Sequence, residues 1–368
     1  MVITRALGRR GRAEIGRVVF YTALMASRRR NVAGLLTMKL VGHRFWRSVL
    51  LRALALACIA MPAGAVTVPD LYVIEMPVTT TRDAAFVDAL KAVVVKVSGQ
   101  RDAAARLGGA LGDPRRYVQR FGFTGENVLQ VGFDNVSIDR LLTEGDLPIW
   151  GRERPATLVL LNVTATDGSS YWIDTTGNSA EREAVSRAAR QRGLPIVWPQ
   201  STSQDGAQLS ADPGSAMQIA RRYDANAALV GNARADGSGG LTVRWTLISD
   251  TESGNTNGSL EDGVHFAADA FARVYAASGS TLDSVALEIS GIENLSSYAG
   301  ALNYLEAMTL VRAVAVERLV GDTMRFRLAV RGDANTLTRA LALDGKFVPV
   351  APSDATQSAG ELRFRYQP

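Results

Sequence analysis

The chain has 368 residues, 47% of them hydrophobic, enough for two or three domains that each bury a core. Its formal charge of +5 belongs to the start of the chain: residues 1 to 65 hold 12 of the 41 Lys and Arg against Glu14 alone, so residues 66 to 368 carry 29 basic and 35 acidic groups, a net charge of −6. With no Lys and Arg stripe after Ala65, that balance argues against nucleic acid as a partner.

From Met38, Lys39, Arg44 and Arg47 precede an apolar stretch that closes on Ala63-Gly64-Ala65, the layout of a secretory signal cut between Ala65 and Val66. The uncharged run Ala53 to Ala65 has 13 residues, short of the roughly 20 needed to span a bilayer. The mature chain is therefore expected to be periplasmic and to lack a transmembrane anchor, with peripheral outer-membrane association as its remaining membrane mode. Cys58, in Ala55-Leu56-Ala57-Cys58, supplies the alternative of a lipoprotein anchored through its thiol. Residues 1–37 read as an upstream extension from an early start codon, and 38–65 as the signal peptide. Cleavage after Ala65 removes the single cysteine, leaving no disulfide or zinc–thiolate site.

Residues 66–153 read as a small α/β unit. Leu71 to Met76 is a strand, and Thr81 precedes a helix with Phe86, Leu90, Val93 and Val97 on one face and Gly99 as its stop. Asp113-Pro114 opens a short helix carrying Tyr117 and Phe121, Leu129 to Phe133 alternates as a strand, and Ile138, Leu141 and Leu142 mark another helix. Residues 154–278 form a layered α/β domain: strand Leu158 to Val163, helix Ala180 to Arg192 ending at Gly193, strand Leu194 to Trp198, and a polar loop. Helix Ala216 to Tyr223, strand Ala227 to Gly231, a turn at Asp236 to Gly240, strand Leu241 to Ile248 and a helix from about Val264 to Ala277 complete it. Residues 279–368 run β, α, β, β, α, β, the order of a split βαβ, ferredoxin-like unit. The fold class is thus α/β and α+β.

Several strings carry a family resemblance: Ala89-Leu90 to Val97-Ser98-Gly99, Val131 to Leu142, Leu147-Pro148-Ile149-Trp150-Gly151-Arg152-Glu153-Arg154-Pro155, Arg192 to Pro195, Arg222 to Gly231, and Arg244-Trp245. Over residues 69 to 280 the chain resembles the family known as domain of unknown function number 2066, of proteobacterial exported proteins. That resemblance implies a compartment and a fold and no mechanism. The Tyr223 to Gly231 string is also similar to the amino-terminal domain of the Tol translocation protein B family and to lipoprotein activators of penicillin-binding proteins. The helix Ala89 to Gly99 resembles one in the flagellar outer-ring assembly protein T family. All of these are envelope assembly or regulatory modules, an analogy of fold and not of site.

No residue pattern assigns a catalytic, cofactor or metal site. His265 is the single histidine after Ala65 and has no partner at diagnostic spacing. Asp236 to Gly240 reads as a hairpin turn and Gly108 to Gly112 as a loop. Glu181 with Glu183, and Asp134 with Asp139, are explained by solvated helix faces and a cap. Trp150, Trp172 and Trp198 are the candidate aromatic interaction patch, with core packing as the alternative for each. These residues lead to a non-enzymatic scaffold or regulator that binds another envelope protein. Second comes a binder of a small ligand or glycan in a cleft between the middle and last parts, and third a carboxylate-only hydrolase.

Overall fold

The computed structural model describes residues 66–367, apart from 79–80, 126, 177–178, 201, 237–239, 279–281 and 351–360. The chain divides into residues 1–60 and 61–368, and every described residue belongs to the second unit. The upstream extension, the signal segment, Cys58 and Ala65 lie outside the described residues, as does the centre of the Asp236 to Gly240 turn.

The first lobe contains strands β1 (Val66–Thr67) and β2 (Val73–Pro77), helices α1 (Arg82–Ser98) and α2 (Ala103–Leu107), strands β3 (Val118–Phe123) and β4 (Val128–Phe133), helix α3 (Asn135–Glu144) and strand β5 (Pro148–Ile149). Helix α1 begins where the Thr81 hydroxyl accepts from the Ala84 N–H, and it stops where Gly99 takes φ 72. Its Phe86, Leu90, Val93 and Val97 stripe is buried with Leu129, Val131 and Phe133, over an antiparallel sheet of order β2-β4-β3. Phe121 departs from its expected helix. The helical segment is a 3-10 turn over Pro114–Tyr117 and Phe121 lies in β3, because pairing Phe121 with Val131 and Phe123 with Leu129 completes the sheet.

Strands β6 (Glu153–Arg154), β7 (Thr157–Thr164) and β8 (Ser170–Trp172) open the middle lobe, followed by α4 (Ala180–Arg192), β9 (Ile196–Val197), α5 (Thr202–Ala211) and α6 (Ala216–Arg222). Then come β10 (Ala227–Ala235), β11 (Leu241–Ser249), β12 (Ser253–Gly258), α7 (Leu260–Tyr275) and β13 (Ala277–Ser278). Its sheet runs β12-β11-β10-β7-β8, with β9 also on β7. The apolar run in β7 is explained by burial on both faces: Val159, Leu161 and Val163 join the core under α4 and α7, while Leu158 and Leu160 join the one under α5 and α6. Ser259 caps α7 in a reciprocal box with Asp262.

The last lobe contains β14 (Leu282–Ser290), α8 (Leu295–Ala307), β15 (Val311–Val320), β16 (Thr323–Arg331), α9 (Ala334–Leu341), β17 (Phe347–Pro349) and β18 (Glu361–Tyr366). The sheet order is β15-β16-β14-β18-β17, so β16 is inserted between β14 and β15 as a split βαβ requires. One strand beyond the expected order, β17, pairs antiparallel with β18 and reverses the chain, which makes β18 parallel to β14.

Candidate functional site

The lobes meet at the segment Trp150 to Pro155, and the chemistry there starts from two glycines. Gly99 and Gly193 both adopt left-handed φ, 72 and 63, and end α1 and α4 with their last carbonyls unpaired inside the helices. A Cβ at Gly99 would come within 2.4 Å of the Ala272 Cβ, and one at Gly193 within 2.6 Å of the Arg154 guanidinium, so neither position has room for a side chain.

Arg154 fills the space between those two helix ends. It is 0% exposed, and its Nε and Nη atoms donate to the carbonyls of Gly151, Arg192, Gly193, Lys96 and Trp150 at 2.8 to 3.0 Å. Its Cζ stands 3.8 Å over the Trp150 ring. No carboxylate makes an ion pair with it among the described residues; the negative ends of α1 and α4 supply the counter-charge. Beside it the Arg192 guanidinium donates to the Gly99 carbonyl and to Asp269, each at 2.7 Å, and Asp269 also takes Arg101. Lys96 gives its ammonium to the carbonyls of Asp70 and Val73, and burial pushes its pKa down to about 8.

A second buried centre ties the first lobe to the last. Asp139 of α3 accepts from the Tyr72 hydroxyl at 2.7 Å, from Arg312 at 3.2 Å and from Arg331 at 3.4 Å. Burial raises the Asp139 pKa against the pull of Tyr72 and Arg312, and burial likewise raises that of Glu153, whose carboxylate faces the Thr309 N–H. The Asn226 side chain bridges the Ala156 N–H and the Leu343 carbonyl, and β1 pairs with β6 so that Val66 lies opposite Arg154.

A cavity of about 330 Å³ opens beside this joint, lined by Ser98 to Asp102, Pro148, Asp269, Ala272 and Arg273. It lies between the first and middle lobes, not in the cleft expected between the middle and last. Its Ser98 hydroxyl accepts from the Gln100 N–H, and Arg101 is spent on Asp269. His265 sits 3.4 Å from Arg192, and burial together with Arg192 and Arg101 lowers its pKa.

The three tryptophans are not brought together. Trp150 is fully buried in the joint. Trp172 packs against the α5 and α6 core, and Trp198 against the opposite α4 and α7 core, with its Nε1 donating to Ser186. Asp134 is the cap of α3, accepting from the Ser137 N–H, and Glu181 and Glu183 stand in the first turn of α4. Asp139, grouped in sequence with helix-face carboxylates, is the buried tie described above.

Exposed aromatic surface is found instead on β3, an edge strand. Phe121 is 54% and Phe123 50% exposed; Phe121 meets Phe86 edge-on at 5.3 Å, and Arg82 lies 5.8 Å over Phe123.

Residues 65–151 match a family described as a domain of unknown function (DUF8605). The match spans the first lobe, from the start of β1 into the joint. It names a different family from number 2066, to which the motifs point across residues 69 to 280. No curated protein and no solved structure matches the chain. Among the described residues no helix is long and apolar enough to cross a membrane.

Proposed function

We propose that this chain is an exported, non-enzymatic scaffold or regulator of a bacterial envelope that binds another envelope protein. The observation that carries the reading is the contrast between its interior and its surface. The buried cations at the joint are discharged on carbonyls and Asp269 and hold lobes together, whereas the exposed aromatic pair Phe121 and Phe123 lies on an open sheet edge. Small-ligand binding is less well supported, since the 330 Å³ cavity is lined by mixed charges already paired in part. Export is supported by the leader pattern; a chain cut after Ala65 would have its first two residues paired to Glu153 and Arg154.

The test is expression of the full chain in a Gram-negative host, with fractionation, sequencing of the processed amino terminus and crosslinked capture. The expected result is periplasmic protein beginning at Val66, with a reproducible envelope partner. A cytoplasmic, unprocessed chain would contradict the proposal.

A further inference from the structure

We propose that the free edge of β3 is the docking strip for an extended, acidic segment of a partner protein, which adds to the β2-β4-β3 sheet as a fourth strand. This rests on the binding reading above and names the chemistry of the partner. Among the described residues the sheet ends at β3, with no strand paired to its outer edge. Phe121 and Phe123 share the face of the sheet that Leu129 and Val131 present to α1, yet both stay half exposed beyond the helix. An incoming strand there would cover both rings with its alternate side chains.

Charge selects the occupant. The fold gathers Arg82 at the start of α1 with Arg115 and Arg116 of the 3-10 turn and Arg120 of the adjoining β3, two separated stretches of a sequence that is acidic after residue 65. Asp83 pairs with Arg115; Arg82, Arg116 and Arg120 have no carboxylate within ion-pair distance among the described residues. Arg82 lies over Phe123 and Arg116 over Tyr117, while the Arg120 chain crosses Gly132 on the opposite face. A strand of mixed apolar and acidic side chains would meet the rings together with Arg82 and Arg116 along this edge.

The other long edge strand, β15, is a poorer template. Two register shifts break it, after Val311 and after Val316, against the single one in β3 between Val118 and Arg120, ahead of both rings. Arg312 is engaged with Asp139 and Glu317 with Arg325 and Arg327, and the exposed apolar side chains of β15, Val316, Leu319 and Val320, include no ring. Bulges and charges of that kind protect an edge. β12 presents the polar run Ser253 to Gly258 and no ring.

The experiment titrates the full chain into a fluorescein-labelled octapeptide of alternating Glu and Val, with an alternating Lys and Val octapeptide and phosphatidylglycerol vesicles as separate probes. The Glu peptide should bind and the Lys peptide should not, with binding weakened by salt. Phe123→Ser and Arg82→Glu should each weaken it at least about tenfold without changing the melting temperature. Phe123 is the primary variant because Phe121 also packs on Phe86. Equal binding of both peptides, undiminished binding by Phe123→Ser, or vesicle binding without peptide binding would overturn the strip. Capture of an envelope protein through another surface, with both peptides ignored, also overturns it and leaves the binding reading standing. Peptide binding that Phe123→Ser abolishes, without any envelope partner, supports the strip and removes the envelope reading.

Discussion

Arg154 shows how one residue can join domains without an ion pair. Each guanidinium N–H that approaches a neighbour ends on a carbonyl, and all five of those carbonyls lie outside the residue's own strand, on Lys96, Trp150, Gly151, Arg192 and Gly193. Lysine cannot copy this, since an ammonium presents three donors from one point where guanidinium presents five in a plane. Arg154→Lys is therefore expected to lower the urea-unfolding free energy by roughly 3 kcal/mol through carbonyls left buried and unpaired; a loss under about 0.5 kcal/mol, the scale of a surface change, would contradict the joint. Lys96 gives a pH signature. Its folded pKa of about 8 lies below the ordinary 10.5, so the unfolded chain binds more protons between those values and stability rises with pH there. From pH about 7.5 to 9.5 this contributes about 2 kcal/mol. Lys96→Met should remove that rise, which is measured as the difference between the two proteins' urea midpoints across the window.

At the scale of elements, Asp139 couples α3 to β15 and β16 of the last lobe through Arg312 and Arg331. Asp139→Leu would strand Arg331, itself buried, without its carboxylate. Hydrogen exchange should then quicken in β15 and β16 more than in β10 or β11; uniform protection would mean the tie is dispensable. Elements with cap chemistry and apolar period were legible in the sequence: α1 between Thr81 and Gly99, and α4 up to Gly193, fall where those residues place them. Elements whose reason is tertiary were not. Helix α5 lies in a Ser, Gln, Asp and Gly stretch; it is held because Asp205 takes Arg222 and Tyr223, and Gly206 leaves room for the Trp172 indole, whose Nε1 would be 2.5 Å from a Cβ. Strand β12 is polar throughout and exists by pairing with β11. Of the candidate site, the Trp150 to Pro155 string stood out in sequence. Three of the five carbonyls that Arg154 takes are 38 to 58 residues away, and spacing carries no record of that. The β3 strip was hidden for the same reason, with Arg82 far from Arg115 to Phe123 in the chain.

For the whole molecule, the joints predict that residues 66 to 368 unfold together. Near-ultraviolet circular dichroism, which reports Trp150 in the joint and Trp245 in the middle core, should lose its signal at the same urea concentration as the far-ultraviolet band. Two separated transitions would show that the lobes are only neighbours. A body whose β3 edge carries two half-exposed rings is the form expected of a scaffold that presents a fixed surface to a partner. The direct test places a photo-crosslinking amino acid at position 123 of the full chain in living cells, with position 282, equally exposed in the last lobe, as the control. The account predicts a discrete adduct at 123 alone, mapped to an acidic extended segment of an envelope protein and lost on Arg82→Glu. No adduct at 123, or the same adducts from both positions, would contradict it.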